Sequence, residues 1–215
     1  MVKLYLDSNI ADWAYVIFKA DWGEKIRVKD TKLPIKRKIE QYVCLRYLMD
    51  LDDEWDIIFG TSNMMKKENI DDFEKSSNDT DKLDFLSLFY ELLVNKTQIT
   101  HIKDLENNGL FKRLRGIGIE HKDAIHLAEA KIGQWDYFIT LDDDILKKRN
   151  AIKFTIGLKV RNPSEFIHDF LKYHSIDKEH PMDMGTLIRA LHGSWVCKED
   201  VFNSTTEYLE SNQVL

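Results

Sequence analysis

The sequence predicts an α/β fold of three layers, with helices on both faces of a sheet of five short, mostly parallel strands, and a helical extension at the C-terminus. Three observations predict it. Apolar runs of strand length recur at VKLYL (2–6), WDIIFG (55–60), TQITHI (97–102), YFITL (137–141) and FTIGLKV (154–160). Stretches long enough for a helix separate them, and connections of that length join parallel rather than antiparallel neighbours. Finally, 43% hydrophobic residues, with 11 Phe, 8 Tyr and 5 Trp, can fill a core that covers such a sheet on both sides.

Taken in order, strand 2–6 ends at Asp7, and residues 9–20 repeat apolar groups at helical spacing, with Ser8 or Asn9 available as N-cap. A polar link reaches Pro34, a good first helical residue, and opens a long amphipathic helix marked by Ile35, Ile39, Leu45 and Leu48. Strand 55–60 closes at Gly60, and Thr61 or Ser62 caps a helix to about Glu74. After KSSNDTD comes a helix with Leu83, Leu86, Phe89, Tyr90 and Leu93 on its apolar face, and then the alternating strand 97–102. A short helix is expected over Asp104–Leu114, and a strong one from His121 or Lys122 to Gly133. Strand 137–141 leads into a short helix over Asp142–Arg149, strand 154–160 follows, and NPSE (162–165) opens a last helix to about Tyr173. Residues 1–173 read as one domain, and the break at HSIDKEHPMDMG sets off an extension over 174–215.

Composition narrows the function. No run approaches the ~18 apolar residues of a membrane span, and the start MVKLYLDSN meets an acid before any signal-peptide apolar region. Cys44 and Cys197 are too few for a disulfide framework or a thiolate zinc site, which points to a reducing cytoplasm. The net charge of −6 argues against a protein whose affinity comes mainly from phosphate contacts, although local patches matter more than the total.

Ligands of open parallel sheets bind beyond the carboxyl ends of the strands. There the sequence delivers Asp7 after strand one and Asp142 after strand four, with Asp143 and Asp144 next to it. Glu68 lies in the helix after strand two, and Asp123 in the first turn of the helix before strand four. Singly, each has a structural role to offer: Asp7 as an N-cap, Asp123 as a dipole partner, Glu68 as part of a solvated face beside Lys66 and Lys67. Their order and spacing together point further.

LYLDSN, TSNMMKKE, HKDAIHLAEA and FITLDDDIL resemble the motifs of the PIN-domain nucleases, and NPSEFI resembles the start of that family's last helix. The resemblance spans roughly residues 1–172. It implies a sheet of order 3-2-1-4-5 and a metal-binding, catalytic acid set of Asp7, Glu68, Asp123 and Asp142. Ser8, Asn9 and Thr140 match positions that hold those acids by hydrogen bonds. The implied activity is that of an endoribonuclease: hydrolysis of RNA by an activated water, dependent on Mg²⁺ or Mn²⁺. Toxin-like members of such a family are held silent by an antitoxin-like partner, and homodimers are common in it. The chain departs from the pattern in its basic stretch from Lys29 to Lys38, its polar insertion at 75–81 and its last forty residues.

The chemistry agrees. Unit charges ~4 Å apart cost about 1 kcal/mol per pair in water and about 4 at an effective dielectric near 20, so clustered carboxylates take up protons or bind a cation. Oxygen ligands suit Mg²⁺ or Mn²⁺ better than zinc. His126 can reach the same edge or simply pack within its helix. Basic clusters that could meet RNA are Lys36-Arg37-Lys38, Lys66-Lys67, Lys112-Arg113-Arg115 and Lys147-Lys148-Arg149, while Trp13 either stacks a base or joins the core.

Other enzyme classes fit less well. A haloacid-dehalogenase-type phosphatase needs Asp-x-Asp where this chain has Asp7-Ser8-Asn9, and a receiver domain needs an acid where it has Thr100, His101 and Ile102. No Gly-rich turn for a dinucleotide follows strand one. The alternative of a different class is a PIN-like metal-binding or protein-interaction module that acts within a complex without cutting RNA.

Overall fold

A computed structural model describes residues 2–21, 41, 44, 45, 48, 57–76, 79–95 and 105–174. The chain is α/β: strands β1 (Val2–Leu6), β2 (Ile57–Gly60), β3 (Tyr137–Ile139) and β4 (Lys159–Arg161) form one parallel sheet of order β2-β1-β3-β4. This is compatible with the expected three layers, with four strands rather than five among the described residues. The expected strand 97–102 and the extension after residue 174 lie outside them. With that strand set aside, the order matches the one the resemblance implies.

Compact packing divides the chain into two units, Met1–Asp12 with Leu51–Asn162, and Trp13–Asp50 with Pro163–Leu215. The first contains the whole sheet. Its helices are α2 (Asn63–Ser76), α3 (Thr80–Asn95), α4 (Gly109–Gly116), α5 (His121–Ile132), α6 (Asp143–Lys147) and α7 (Arg149–Ile156). The helix before them, α1 (Ser8–Asp21), begins in this unit and continues into the second.

In β1, Leu4, Tyr5 and Leu6 are all buried, so both faces of the strand are covered. Tyr5, Phe138 and Val160 share one row, set by the registers Tyr5↔Phe138 and Phe138↔Val160. Tyr5 stacks on Phe138 at 5.3 Å between ring centroids and meets Trp135 edge-on at 5.9 Å. Met65, Leu86, Leu114, Leu127 and Ile152 complete that core from the helices.

Several element boundaries differ from the sequence reading. Over 104–114 the expected helix is broken: a short 3-10 turn at Leu105–Asn107 is followed by α4, because the Asn108 side chain accepts from the Leu110 amide at 2.8 Å and starts a new helix. Residues 154–156 belong to α7 rather than to a strand; Gly157, in the left-handed region at φ 70°, ends that helix and leaves only 159–161 to pair. The helix expected over 142–149 is accordingly two, α6 and α7. Strand β3 stops at Ile139, two residues early, because Leu141 turns to bond Asn9.

In the second unit, Gln41, Cys44, Leu45 and Leu48 are helical and buried, a spacing of i, i+3, i+4, i+7 that puts the four on one face. Helix α8 (Pro163–His174) carries Phe166, Ile167 and Phe170, all buried. Gln41 donates to the Ser164 hydroxyl at 2.9 Å and accepts from the Ser164 amide at 3.2 Å, which satisfies two polar side chains inside this unit. Trp13 is also buried, so it is a core residue and not a base-stacking one. Among the described residues no helix is long and apolar enough to cross a membrane.

Candidate active site

Register builds the site. Leu6 pairs with Ile139, so the next residues along the two strands, Asp7 and Thr140, come out side by side where the sheet order switches between β1 and β3. The ladder continues one step further: the Asp7 amide donates to the Ile139 carbonyl and the Thr140 amide to the Arg161 carbonyl, each at 3.0 Å.

Asp7 precedes α1, and its backbone carbonyl accepts the Ile10 amide at 3.0 Å, so it occupies the capping position expected of Ser8 or Asn9. Its carboxylate does something else. Oδ1 accepts from the Ser8 amide at 2.8 Å, while Oδ2 accepts from the Thr140 hydroxyl at 2.6 Å and from the Asn9 side-chain amide at 2.9 Å. Asn9 also donates to the Thr140 hydroxyl at 3.1 Å and accepts from the Leu141 amide at 3.0 Å. Thr140 in turn accepts from the Asp142 amide at 2.9 Å. Ser8, Asn9 and Thr140, chosen from the sequence as the residues that hold the acids, thus make one continuous hydrogen-bonded set around Asp7. Only 7% of Asp7 is exposed. Burial pushes its carboxyl above the usual range against the lowering pull of the Thr140 hydroxyl, the His126 charge and the Ser8 amide, and Asp142 pushes it further up.

Asp142 caps α6: Oδ1 accepts from the Asp144 amide at 2.8 Å and the Ile145 amide at 3.0 Å. It is half-buried and its charge acts on both Asp7 and Asp123. Asp143 and Asp144 are exposed, and Asp144 pairs with Lys147 at 3.0 Å. Of the three adjacent acids, Asp142 is therefore the one within the field of the site. Asp123, half-buried in the first turn of α5, is pushed up to about 6, first by desolvation and then by Asp7, Asp142 and Glu120, with His126 opposing. The structure thus brings Asp7, Asp123 and Asp142 into mutual repulsion.

For Glu68 only the backbone is described, in the second turn of α2; its side chain lies outside the described set. The next residue, Asn69, donates to the Tyr90 hydroxyl at 2.7 Å. Burial and the Asp7 charge raise the Tyr90 hydroxyl, so that turn of α2 stands near the same edge. Lys66 is half-buried and Lys67 exposed, whereas Lys36, Arg37 and Lys38 lie outside the described residues.

Beneath the acids runs a buried polar set of Tyr5, Ser62, His126 and Glu129, of which the sequence pointed to His126 at this edge and Ser62 as a cap but not to Tyr5 or Glu129. The Tyr5 hydroxyl donates to Glu129 at 3.2 Å, and His126 Nδ1 stands 3.5 Å from the same Glu129 oxygen. Ser62 bonds Tyr5 and, through its hydroxyl, accepts the Met65 amide at 3.0 Å to start α2. All four residues are buried, and burial followed by the Glu129 charge puts the Tyr5 hydroxyl well above its ordinary value. Glu129 sits six residues after Asp123 on a helix whose residues 124–130 are all buried, so its charge points inward. Its signal in the sequence is an acid inside AIHLAEA (124–130), a stretch that is otherwise apolar apart from His126.

The donor set consists of carboxylate oxygens, the type a hard divalent cation takes. Among the described residues, no three His, Cys, Asp or Glu side chains stand close enough to hold one ion. The charges of Asp7 and Asp142 act on Asp123 all the same.

That charge has a measurable cost. With a folded pKa of about 6 against 3.8, Asp123 loses stability for the fold as pH rises through that window, because only the folded state resists ionisation there. The full shift corresponds to about 3 kcal/mol, and screening at a half-exposed group brings it to about 1 kcal/mol. Asp123→Asn is expected to raise the melting temperature at pH 7.5 by about 2–4 °C, an advantage that vanishes below pH 4. Thermal unfolding of both proteins at the two pH values checks this; a variant less stable at pH 7.5 contradicts the repulsion.

Comparison with protein-family models, with curated proteins and with solved structures finds no match to this chain.

Proposed function

We propose that the chain is a Mg²⁺- or Mn²⁺-dependent endoribonuclease of PIN-like design, with Asp7, Glu68, Asp123 and Asp142 as its acid set. One observation carries the reading: at the ends of neighbouring parallel strands the Asp7 carboxylate and the Asp142 amide both bond the Thr140 hydroxyl, and the charges of Asp7 and Asp142 add to desolvation in raising Asp123 to about 6. Acids gathered at that cost to stability suit a cationic ligand better than an empty structural role. A divalent ion bound there would supply the charge that activates water and offsets the phosphate. The residues themselves supply the rest. Asp7 is fixed by three donors, Asp142 is oriented by the α6 amides, and Asp123 ionises near neutral pH.

The test is cleavage of single-stranded RNA by the whole chain. Mn²⁺ is expected to support internal cuts and a chelator to abolish them. Cleavage that persists in excess chelator, or none across Mg²⁺ and Mn²⁺ in repeated preparations, sinks the proposal.

One observation favours a second reading. Asp7 is saturated with hydrogen bonds and Asp142 caps a helix, so both acids also serve the fold. On that reading the chain is a PIN-like binding module acting within a complex. Under either reading an antitoxin-like partner or a second copy of the chain can control it.

A further inference from the structure

Resting on the nuclease reading, we infer that RNA is received on the face formed by α4 and α7, which leads away from the acid edge. The carrying observation is a segregation of charge. Residues 109–119 hold three basic side chains and no acid, and residues 145–161 hold six basic side chains and no acid, in a chain whose net charge is −6. These segments are one surface, since α4 packs against α7, and the Lys148 ammonium donates to the Gly118 carbonyl in the link between α4 and α5. Lys112, Arg113, Arg115 and Lys153 are exposed, while Lys147 is already paired with Asp144. Solvated helix faces ordinarily interleave the two signs, so a run of one sign repels itself until a polyanion lies on it.

Phe154 in α7 adds the second observation. It is 95% exposed, beside Lys153 on the same helix, whereas Ile152 and Ile156 fill the core. A bare phenyl ring on a helix that also carries the exposed Lys153 matches a nucleic acid strand, whose phosphates meet the charge while a base covers the ring. Position supports the same occupant. Helix α6 has Asp142 as its cap and Lys147 as its last residue, and the Gly118 link opens into α5 with Asp123 in its first turn. A strand lying on the basic face therefore reaches the acids within a few nucleotides.

The test is fluorescence anisotropy of a labelled, mixed-sequence 20-nucleotide single-stranded RNA with the full chain in chelator, where cutting is off. Lys112→Glu/Arg113→Glu/Lys153→Glu is expected to weaken binding at least about tenfold and to flatten the salt dependence by about two units of log–log slope, at ~0.7 per lost phosphate contact. Phe154→Ala is expected to weaken it about fivefold or more through the lost stack. Lys75→Glu, on exposed α2 surface, is expected to bind within twofold of the parent, and unchanged melting temperatures show that the variants fold. Parent-like binding by the triple variant overturns the inference. So does easy displacement of RNA by polyglutamate with no effect of Phe154→Ala, which marks a dock for an acidic protein. The two proposals fail separately: binding as described without Mn²⁺-dependent cutting removes the nuclease and leaves the surface, and an unchanged KM for cleavage in the triple variant removes the surface and leaves the nuclease.

Discussion

Asp7→Asn is expected to slow Mn²⁺-dependent RNA cleavage by at least about a hundredfold, equivalent to ~3 kcal/mol of lost transition-state stabilisation. The reason is position as well as charge. Asp7 is more enclosed than Asp123 or Asp142, and its two oxygens are aimed by Ser8, Asn9 and Thr140. An amide keeps the shape and one acceptor oxygen but removes the negative charge that a cation would meet. The same change removes the cost of burying a charge at Asp7, which offsets the hydrogen bonds it weakens, so unfolding free energy is expected to stay within about 1 kcal/mol of the parent. Single-turnover cleavage rates together with denaturant unfolding separate the two effects. Undiminished cleavage places the chemistry at another centre.

Thr140→Val is expected to destabilise the protein by about 2–4 kcal/mol, lowering its melting temperature by about 5–15 °C. Valine has the shape but not the hydroxyl, and that hydroxyl is the hub of the site. It donates to Asp7 at 2.6 Å and accepts from the Asp142 amide at 2.9 Å and from Asn9 at 3.1 Å. Thr140 is fully buried, so no water replaces these bonds at low cost. Thr140→Ser keeps the hydroxyl and is expected to lose less than about 1.5 kcal/mol. In a double-mutant cycle, Asp7→Asn and Thr140→Val are expected to couple, because they share one bond. Equal stabilities for the valine and serine variants would show that the hydrogen bonds carry little.

Much of this site is visible in the linear order of residues because it depends on chain ends of strands. VKLYL and YFITL are apolar runs that need cover on both faces; the first is followed by Asp7 and Ser8, and the second holds Thr140 near its end and is followed by Asp142. That places Asp7, Thr140 and Asp142 at one sheet edge before any coordinates are known. Asp123 follows from its place in the first turn of α5. The strand after α7 was misplaced for an equally physical reason: FTIGLKV is apolar enough for either structure, and the glycine conformation at 157 decided in favour of a helix before it. Asn108 broke the preceding helix through a local side-chain bond that competes with helical propensity.

Composition and periodicity were sufficient for the α/β class, the parallel sheet and the residues gathered at its carboxyl edge, since burial of apolar runs and the length of crossovers are properties of the chain alone. Which acid of the run 142–144 enters the field of the site depends on the turn into α6, where Asp142 caps and Asp143 and Asp144 reach solvent. The pairing of Asp7 with Thr140 depends on register, and a shift of one residue would turn the side chains to opposite faces. The buried Tyr5–Glu129–His126 set depends on a helix covered along seven consecutive residues, which no amphipathic pattern announces. Electrostatic coupling falls off over a few ångströms, so it is decided by contacts between segments far apart in the chain and only folding supplies those distances.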